Sequence, residues 1–491
     1  MLNLNQGGAI GVAWLLSAAC TLAADSAATN APAADTHTNA TPAKASEDVS
    51  RFSDQPAPLR LNDFPQRPPP LLEIGDKFLS TGNLEKGLSL PTGARWAPDF
   101  WVYGTLRSAF QTFDPGGSGT RYTEWANRLD IYGNLYLAPT ERVLIGWRPI
   151  DRDGTSYSGY VFEPRSQHGF VNASSATPRT IFFEGQLDEI FPSLDPNDSR
   201  SLDFGFAVGL QPLNLQDGLL ANSSSADMVS VTRNALTLPG GSTLRLSALD
   251  VWSQIQRQDY TSAGVPNSPD HDANVFGLDA AADFPVSTVE GTVLYEASST
   301  HGSGFYAGLG AIQRIWKFNT TFRAETSVAT DGNSAKVATG TLLVSQFSYD
   351  LPYSADLLYL DSFWGIDRFS SAVRDPTAGG PLGSIGLLNA AVGLGHYGAP
   401  LSNEPDNAAG AALGYQMFFG ELRRRQVVFE VGGRAPTSTP TSSRQRAAEG
   451  VAVRFQQAIG RRYVLIMDTF GVARDSSSAS VGGRMELTVK F

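Results

Sequence analysis

The chain has one cysteine in 491 residues, Cys20, and it lies in an apolar stretch near the N-terminus. If that stretch is cleaved as a leader, the mature protein has no thiol, which excludes disulfides, thiolate catalysis and cysteine-ligated metals. Charged residues make up only 17% of the chain, and acidic residues outnumber basic ones by 48 to 37. The resulting net charge of −11 argues against a nucleic-acid-binding protein, which would need a basic face.

Long hydrophobic runs are also missing. Beyond the N-terminus no stretch reaches the roughly 18 uncharged apolar residues of a membrane helix. The mean hydropathy is −0.15, whereas 49 glycines and 10% aromatic residues favour strands and turns. A transmembrane barrel is compatible with these values, because only alternate residues of each strand face lipid.

Catalytic and cofactor motifs are absent as well. The sequence has no HExxH, GxSxG or CxxCH motif. Its five histidines are scattered over the predicted tail, loops and strand tops, at His37, His168, His271, His301 and His396. Asp195 and Asp198 lack the alternating spacing of a calcium loop, so a turn is favoured there. We therefore predict a non-enzyme with no cofactor and no metal site.

The N-terminal region predicts export. Residues 9–19 are apolar and small residues follow, so we predict a signal peptide over residues 1–24, although residues 1–8 carry no Lys or Arg. Ser17 occupies the position where a lipoprotein motif has Leu, which disfavours lipidation of Cys20. Residues 25–95, rich in Ala, Thr, Asn and Pro, predict a disordered periplasmic tail. Within it, a plain linker over residues 71–90 is favoured over a short helix or plug-like segment.

The last seven residues alternate strictly between apolar and polar. Met485, Leu487, Val489 and Phe491 share one face of a strand, whereas Glu486, Thr488 and Lys490 share the other. This segment resembles the closing strand of bacterial outer-membrane β-barrels, in which the terminal aromatic residue belongs to the assembly signal. The resemblance implies a Gram-negative outer-membrane location, with lipid and the assembly machinery as partners. A half-buried strand of a soluble sheet has the same local pattern.

Strand-like segments repeat from Asp99 onward. Segments of about 10–14 residues with turn residues between them are found at 99–113, 125–137, 140–149, 179–190, 201–211, 226–237, 243–256, 272–284, 287–299, 303–312, 317–330, 335–349, 354–366, 409–419, 425–434, 447–458, 462–473 and 479–491. They predict an all-β fold over residues 96–491: a closed antiparallel transmembrane β-barrel of eighteen strands, within a range of 16 to 20.

The connections between the segments favour the barrel over a soluble sheet. Even-to-odd connections are short, such as 138–139, 285–286 and 460–461, and the longest of them spans 191–200. Odd-to-even connections include the long ones, at 150–178, 257–271, 367–408 and 435–446. Bacterial barrels have short periplasmic turns and long outer loops. Both chain termini are therefore predicted to be periplasmic.

Charged residues on the hidden faces of the strands predict a wet lumen, because a lone charge in lipid is costly. The predicted pore-lining residues are Arg128, Asp130, Arg245, Arg323, Glu325, Glu430, Arg434, Arg454, Arg484, Glu486 and Lys490. Arginines that face acids would set a transverse field across the pore.

Narrowing of the lumen is predicted at two long connections, 150–178 and 367–408. The glycine-rich apolar run at 379–395 favours an infolded loop over two additional strands. Gln211, Asn214, Gln216 and Asp217 are candidates for a polar ring that contacts solute; capping of a loop is the alternative. The segment around them is loosely similar to the strand-to-loop segments of porin-like and alginate-export-type outer-membrane families, a resemblance that implies no substrate.

These features predict a porin-like channel for passive diffusion of small hydrophilic solutes. The alternative is a barrel that sheathes a polysaccharide-export or electron-conduit complex. Large porins often form homotrimers, and no flat apolar seam in the sequence decides the oligomeric state.

Overall fold

The computed structural model describes residues 68–75, 87–117, 119–151, 157–197, 199–239, 242–253, 255–257, 269–332, 336–375, 378–390, 392–420, 423–440, 445–475 and 477–491. The predicted signal peptide, most of the predicted tail, Cys20, His37 and Asp198 lie outside these ranges. No helix within them is long and apolar enough to cross a membrane.

Eighteen strands form one closed wall, as the sequence predicts. They are β1 Asp99–Asp114, β2 Tyr122–Tyr136, β3 Arg142–Trp147, β4 Pro178–Gln186, β5 Phe204–Leu215, β6 Ala221–Leu238, β7 Ser242–Trp252, β8 Asn274–Asp283, β9 Ser287–Ala297, β10 Gly304–Ile315, β11 Phe318–Ala329, β12 Gly340–Asp350, β13 Leu357–Asp367, β14 Ala408–Phe419, β15 Arg425–Pro436, β16 Ala448–Ile459, β17 Tyr463–Arg474 and β18 Ser480–Lys490. Each strand pairs antiparallel with its neighbours in sequence. The pairing of β18 with β1, from Val481↔Asp114 to Lys490↔Thr105, closes the ring.

The two ends of the barrel differ in their connections. At the turn end, where β1 begins and β18 ends, the connections are short: 284–286, 316–317 and 460–462 are examples. The β4–β5 connection at this end holds a one-turn helix, Leu187–Ile190, and a 3₁₀ turn, Pro192–Leu194. At the opposite, loop end, the longest connection spans residues 368–407. Because β13 pairs directly with β14, this connection adds no strand to the wall, which confirms the predicted loop.

The wall is irregular at its third position. Strand β3 has only six residues and covers only the turn-end half of β2. A further strand, Ser158–Glu163, pairs with residues 123–127 and covers the other half; it forms a hairpin with Gly169–Val171. The connection at 150–178, predicted as a loop that narrows the lumen, therefore largely extends the wall. Its residue Tyr157 turns inward and is buried.

Side chains alternate across the wall, as strand geometry requires. In β18, Met485 and Leu487 are 52% and 40% exposed on the outer face. Between and beside them, Arg484 and Glu486 are only 5% and 1% exposed on the inner face. The outer surface is therefore apolar, whereas the inner surface carries charge.

The N-terminal segment adds short strands beside the barrel. Leu72–Ile74 pairs with residues 100–102 of β1, immediately beyond the point where the backbone of Phe491 pairs with Gly104. Leu88–Ser89 pairs with Arg95–Trp96. The described parts of residues 71–90, for which a plain linker was favoured over a short helix, contain the strands Leu72–Ile74 and Leu88–Ser89 and no helix.

Candidate functional site

The described parts of residues 369–406, here called the infolded segment, lie inside the barrel. Phe369, Val373, Leu382 and Ile385 pack with inward side chains of the wall in the largest buried cluster. A second cluster joins Leu387, Leu388, Tyr397 and Leu401 to wall residues such as Val428 and Phe470. Burial of these apolar side chains explains why a segment so rich in glycine and leucine is not a free loop in water.

The infolded segment crosses the lumen. Its residues 373–374 pair with residues 221–222 at the start of β6. Further along, the amides of Leu387 and Leu388 donate to Glu430 of β15, which stands nine positions from β6 in the ring of eighteen and so on the opposite wall. His396 then reaches Glu124 of β2. The segment therefore divides the cross-section of the barrel.

Two buried wall carboxylates hold the infolded segment. Glu430 accepts hydrogen bonds from the amides of Leu387 (2.8 Å) and Leu388 (2.7 Å) and from the hydroxyl of Tyr359 (2.5 Å). Glu124 accepts from the amide of His396 at 2.8 Å, contacts its imidazole Nδ1 at 2.8 Å, and accepts from Tyr157. Charge-assisted bonds of this kind are stronger than neutral ones.

Wall arginines bind carbonyl oxygens of the same segment. The carbonyl of Val392 accepts from Arg107 at 3.0 Å and from Arg484 at 2.7 Å. Arg434 donates to the carbonyls of Ser402 (2.8 Å) and Glu404 (2.9 Å). These three carbonyl groups, which the fold removes from water, are thus satisfied by the wall.

An ion-paired arginine row follows the wall from β16 to β3. Asp468 joins Arg454 (2.7 Å) to Arg484 (2.5 Å). Glu486 joins Arg484 (2.8 Å) to Arg107 (2.7 Å), which lies opposite Arg128 in the register. Asp130 joins Arg128 to Arg148, both at 2.9 Å. Five arginines and three acids leave the row with two positive charges in excess.

Asp151, beyond β3 at the loop end, lies near this row. It is buried, and burial raises the pKa of its carboxyl group although the nearby Arg148 and Arg128 guanidinium groups oppose the shift.

A negative cluster stands on the opposite wall. Arg323 of β11 binds Asp217 and Glu290, both at 2.7 Å, and Gln216 at 2.5 Å. Glu325 lies two residues on, fully buried, and no donor among the described residues reaches its carboxylate oxygens. The two ion-paired acids, Asp217 and Glu290, against Arg323 give a formal charge of −1. Because β11 and β2 are nine positions apart, the cluster faces the arginine row across the lumen.

The remaining predicted site residues are placed as follows. Gln211 is buried and donates to the carbonyl of Met228 at 3.3 Å, whereas Asn214 is exposed. Arg245 and Lys490 are exposed on the inward-facing sides of β7 and β18. Phe491 pairs with Gly104, where an added Cβ would lie 2.9 Å from its ring.

Several site residues were missed by the sequence analysis: Arg107, Glu124, Arg148, Glu290, Arg374 and Asp468. Arg107 and Asp468 each lie on the inward face of a predicted strand, so the parity that identified Arg128 would have found them. Arg148 lies on the inward face of the predicted strand 140–149 and could have been found in the same way. Glu124 lies one residue outside a predicted strand and Arg374 lies in a connection, where parity gives no signal.

The histidines do not converge. His168 contacts the hydroxyl of Tyr160 at 3.0 Å, His301 contacts Asp270, and His271 is exposed. His396 stacks on Tyr122 with ring centroids 3.7 Å apart. No group of three potential metal ligands is found in the described part of the chain.

The barrel is similar to solved structures. It matches Pseudomonas aeruginosa OpdK with vanillate (TM-score 0.51, 12% identity) and OccK9 (OpdG) (0.52, 13%) from the same organism. It also matches P. aeruginosa OccK2 (OpdF) in complex with glucuronate (0.52, 12%). Each alignment covers 80% of this chain and 98% of the other. No family model and no curated protein matches the chain. The fold is therefore that of these outer-membrane porins.

Proposed function

We propose that the protein is an outer-membrane channel for passive diffusion of small hydrophilic solutes, with a preference for carboxylates. One observation carries the proposal: the arginine row faces the negative cluster across a lumen that the infolded segment divides. A solute passing between them meets a transverse field that orients it. The excess positive charge of the row attracts an anionic group.

The similar barrels support the solute class. OpdK was solved with vanillate and OccK2 with glucuronate, and both compounds carry a carboxylate. Arginine binds carboxylates through a planar pair of donors. In this chain a passing carboxylate would exchange with the Asp468 or Glu486 side chains that the row already binds, so transient binding is expected rather than tight capture.

The proposed orientation has the turn end in the periplasm and the loop end outside the cell. Short turns with both ends of the barrel domain on one side support it, because bacterial barrels place short turns in the periplasm. The apolar outer face supports contact with lipid. A barrel that sheathes a partner is less consistent with the infolded segment, which takes up the space that a partner would occupy.

Planar bilayers test the proposal. Purified, refolded protein is added to a bilayer in KCl, and single-channel currents are recorded. In parallel, liposomes that contain the protein are exposed to potassium glucuronate or to glucose at equal osmolarity. We expect discrete conductance steps and faster entry of glucuronate than of glucose. A folded barrel that never conducts would contradict the proposed channel function. Equal rates of entry for glucuronate and glucose would contradict the proposed preference for carboxylates.

A further inference from the structure

The connection between β5 and β6, residues 216–220, is here called the inward turn, and its backbone is unusual. Gln216, Asp217 and Gly218 follow one another with φ of 54°, 54° and 80°. Each non-glycine residue in this left-handed region costs roughly 1–2 kcal/mol. Such a conformation persists only where surrounding contacts determine it.

Arg374 of the infolded segment supplies many of those contacts. Its guanidinium donates to the carbonyl of Gly218 and, at 3.4 Å, to that of Leu219, both in the inward turn. The same group donates to Ser371 Oγ at 3.0 Å and to the carbonyls of Gly379 and Gly380 at 3.4 and 3.3 Å. The side chain is buried. It therefore joins the inward turn to two parts of the infolded segment.

Backbone pairing aligns the two elements around Arg374. The amide of Ala372 donates to Leu220 O at 2.9 Å, and the amide of Asp375 donates to Asn222 O at 2.8 Å. Ser371 Oγ donates to Leu219 O at 2.5 Å. These bonds fix the turn where it meets β6, whereas Arg374 binds closer to its tip.

The tip carries Asp217, whose side chain is half exposed and binds Arg323 through both Nε (2.8 Å) and Nη2 (2.7 Å). Gln216 binds Arg323 and also Thr292 of β9, at 2.9 Å. The position of the negative cluster thus depends on the conformation of a strained turn. That conformation depends in turn on Arg374.

We propose that Arg374 is a positioning residue for selectivity: it joins the inward turn to the infolded segment and so keeps Asp217 against Arg323 in the lumen. This inference rests on the proposed channel function. Without the Arg374 guanidinium, the strained residues relax and Asp217 leaves Arg323, which keeps its ion pair with Glu290. The negative cluster then loses a carboxylate, and the channel becomes more permeable to anions.

The test uses the full chain with Arg374→Ala and Arg374→Lys, each refolded and checked for a closed barrel by heat-modifiable migration in gels. Reversal potentials in a KCl gradient should shift toward the chloride equilibrium potential in Arg374→Ala. Arg374→Lys should be intermediate, since an ammonium cannot bind both parts at once. Arg165→Ala, an exposed arginine of the 148–177 connection, is the matched control and should behave as wild type.

A second readout does not require conduction. Hydrogen exchange measured by mass spectrometry should be faster over residues 216–222 in Arg374→Ala, and unchanged over the outer loop at 437–440. The double variant Arg374→Ala/Asp217→Asn should show no larger shift in reversal potential than Asp217→Asn alone. If Arg374→Ala folds but neither exchange nor selectivity changes, the inference is wrong. If wild type does not conduct, the proposed function fails, while the exchange data still decide the role of Arg374.

Discussion

The guanidinium of Arg484 in the last strand donates a 2.7 Å hydrogen bond to the carbonyl oxygen of Val392, in the middle of the infolded segment. The same guanidinium binds Asp468 and Glu486 on the wall. Arg484 therefore has two roles, as a member of the arginine row and as an anchor of the segment that divides the lumen. This side chain couples the proposed selectivity to the shape of the lumen.

Replacement of Arg484 tests that coupling. In Arg484→Gln the excess positive charge of the row falls, and Val392 keeps only its bond from Arg107. We expect a lower anion preference in reversal-potential measurements, together with noisier open-channel current. Asp468 and Glu486 retain Arg454 and Arg107, so the barrel should still fold. A variant with wild-type selectivity would contradict the role of the row.

Glu430 of β15, three strands from Arg484 in the wall, is a second anchor of the infolded segment. Glu430→Gln removes the charge that accepts the Leu387 and Leu388 amides, at a cost of about 1–3 kcal/mol in the packing of the segment. Hydrogen exchange over residues 385–390 should accelerate. Glu449→Gln, an exposed carboxylate on the next strand, is the control and should leave exchange unchanged there.

Around Asp406, the packing of the infolded segment should depend on pH. Burial, reinforced by the charge of Glu404, raises the pKa of the Asp406 carboxyl to about 7, whereas an unfolded aspartate titrates near its usual value of about 4. The folded state thus prefers the protonated form. The stabilisation of the folded state by this protonation is fully present below about pH 4 and is lost as the pH rises through about 7.

Exchange over residues 400–407 should accordingly be slower at pH 5 than at pH 8, after correction for the intrinsic rate. Asp406→Asn imitates the protonated form and should remove the difference. If Asp406→Asn retains the full pH effect, a group other than Asp406 causes it.

The terminal residue should affect assembly rather than transport. Phe491 pairs through its backbone with Gly104, and its ring packs at the position that a Gly104 side chain would occupy. Deletion of Phe491 should lower the yield of folded barrel in cells. Barrels that do form should conduct as wild type does, because the lumen residues are unchanged. Normal yield in cells would contradict this assignment.

Sequence alternation predicted the wall because each strand is a local pattern. In β2 and β18, the amino-acid sequence alone shows an apolar outer face and a charged inner face. The infolding of residues 369–406 was predictable from their apolar composition. The partners of that segment were not. His396 and Glu124 are 272 residues apart, and no local period connects a loop to a distant strand. The sequence analysis did not predict that two short strands, β3 and Ser158–Glu163, share the third position of the wall, because Ser158–Glu163 lies inside a predicted connection.

Current interruption by a solute tests the central claim most directly. Single wild-type channels in a bilayer are exposed to increasing concentrations of glucuronate, with glucose at the same concentrations as the control. The account predicts brief interruptions of the ion current whose frequency rises with glucuronate concentration, with none for glucose, and their loss in Arg484→Gln. Identical traces with the two solutes would contradict a lumen that recognises carboxylates.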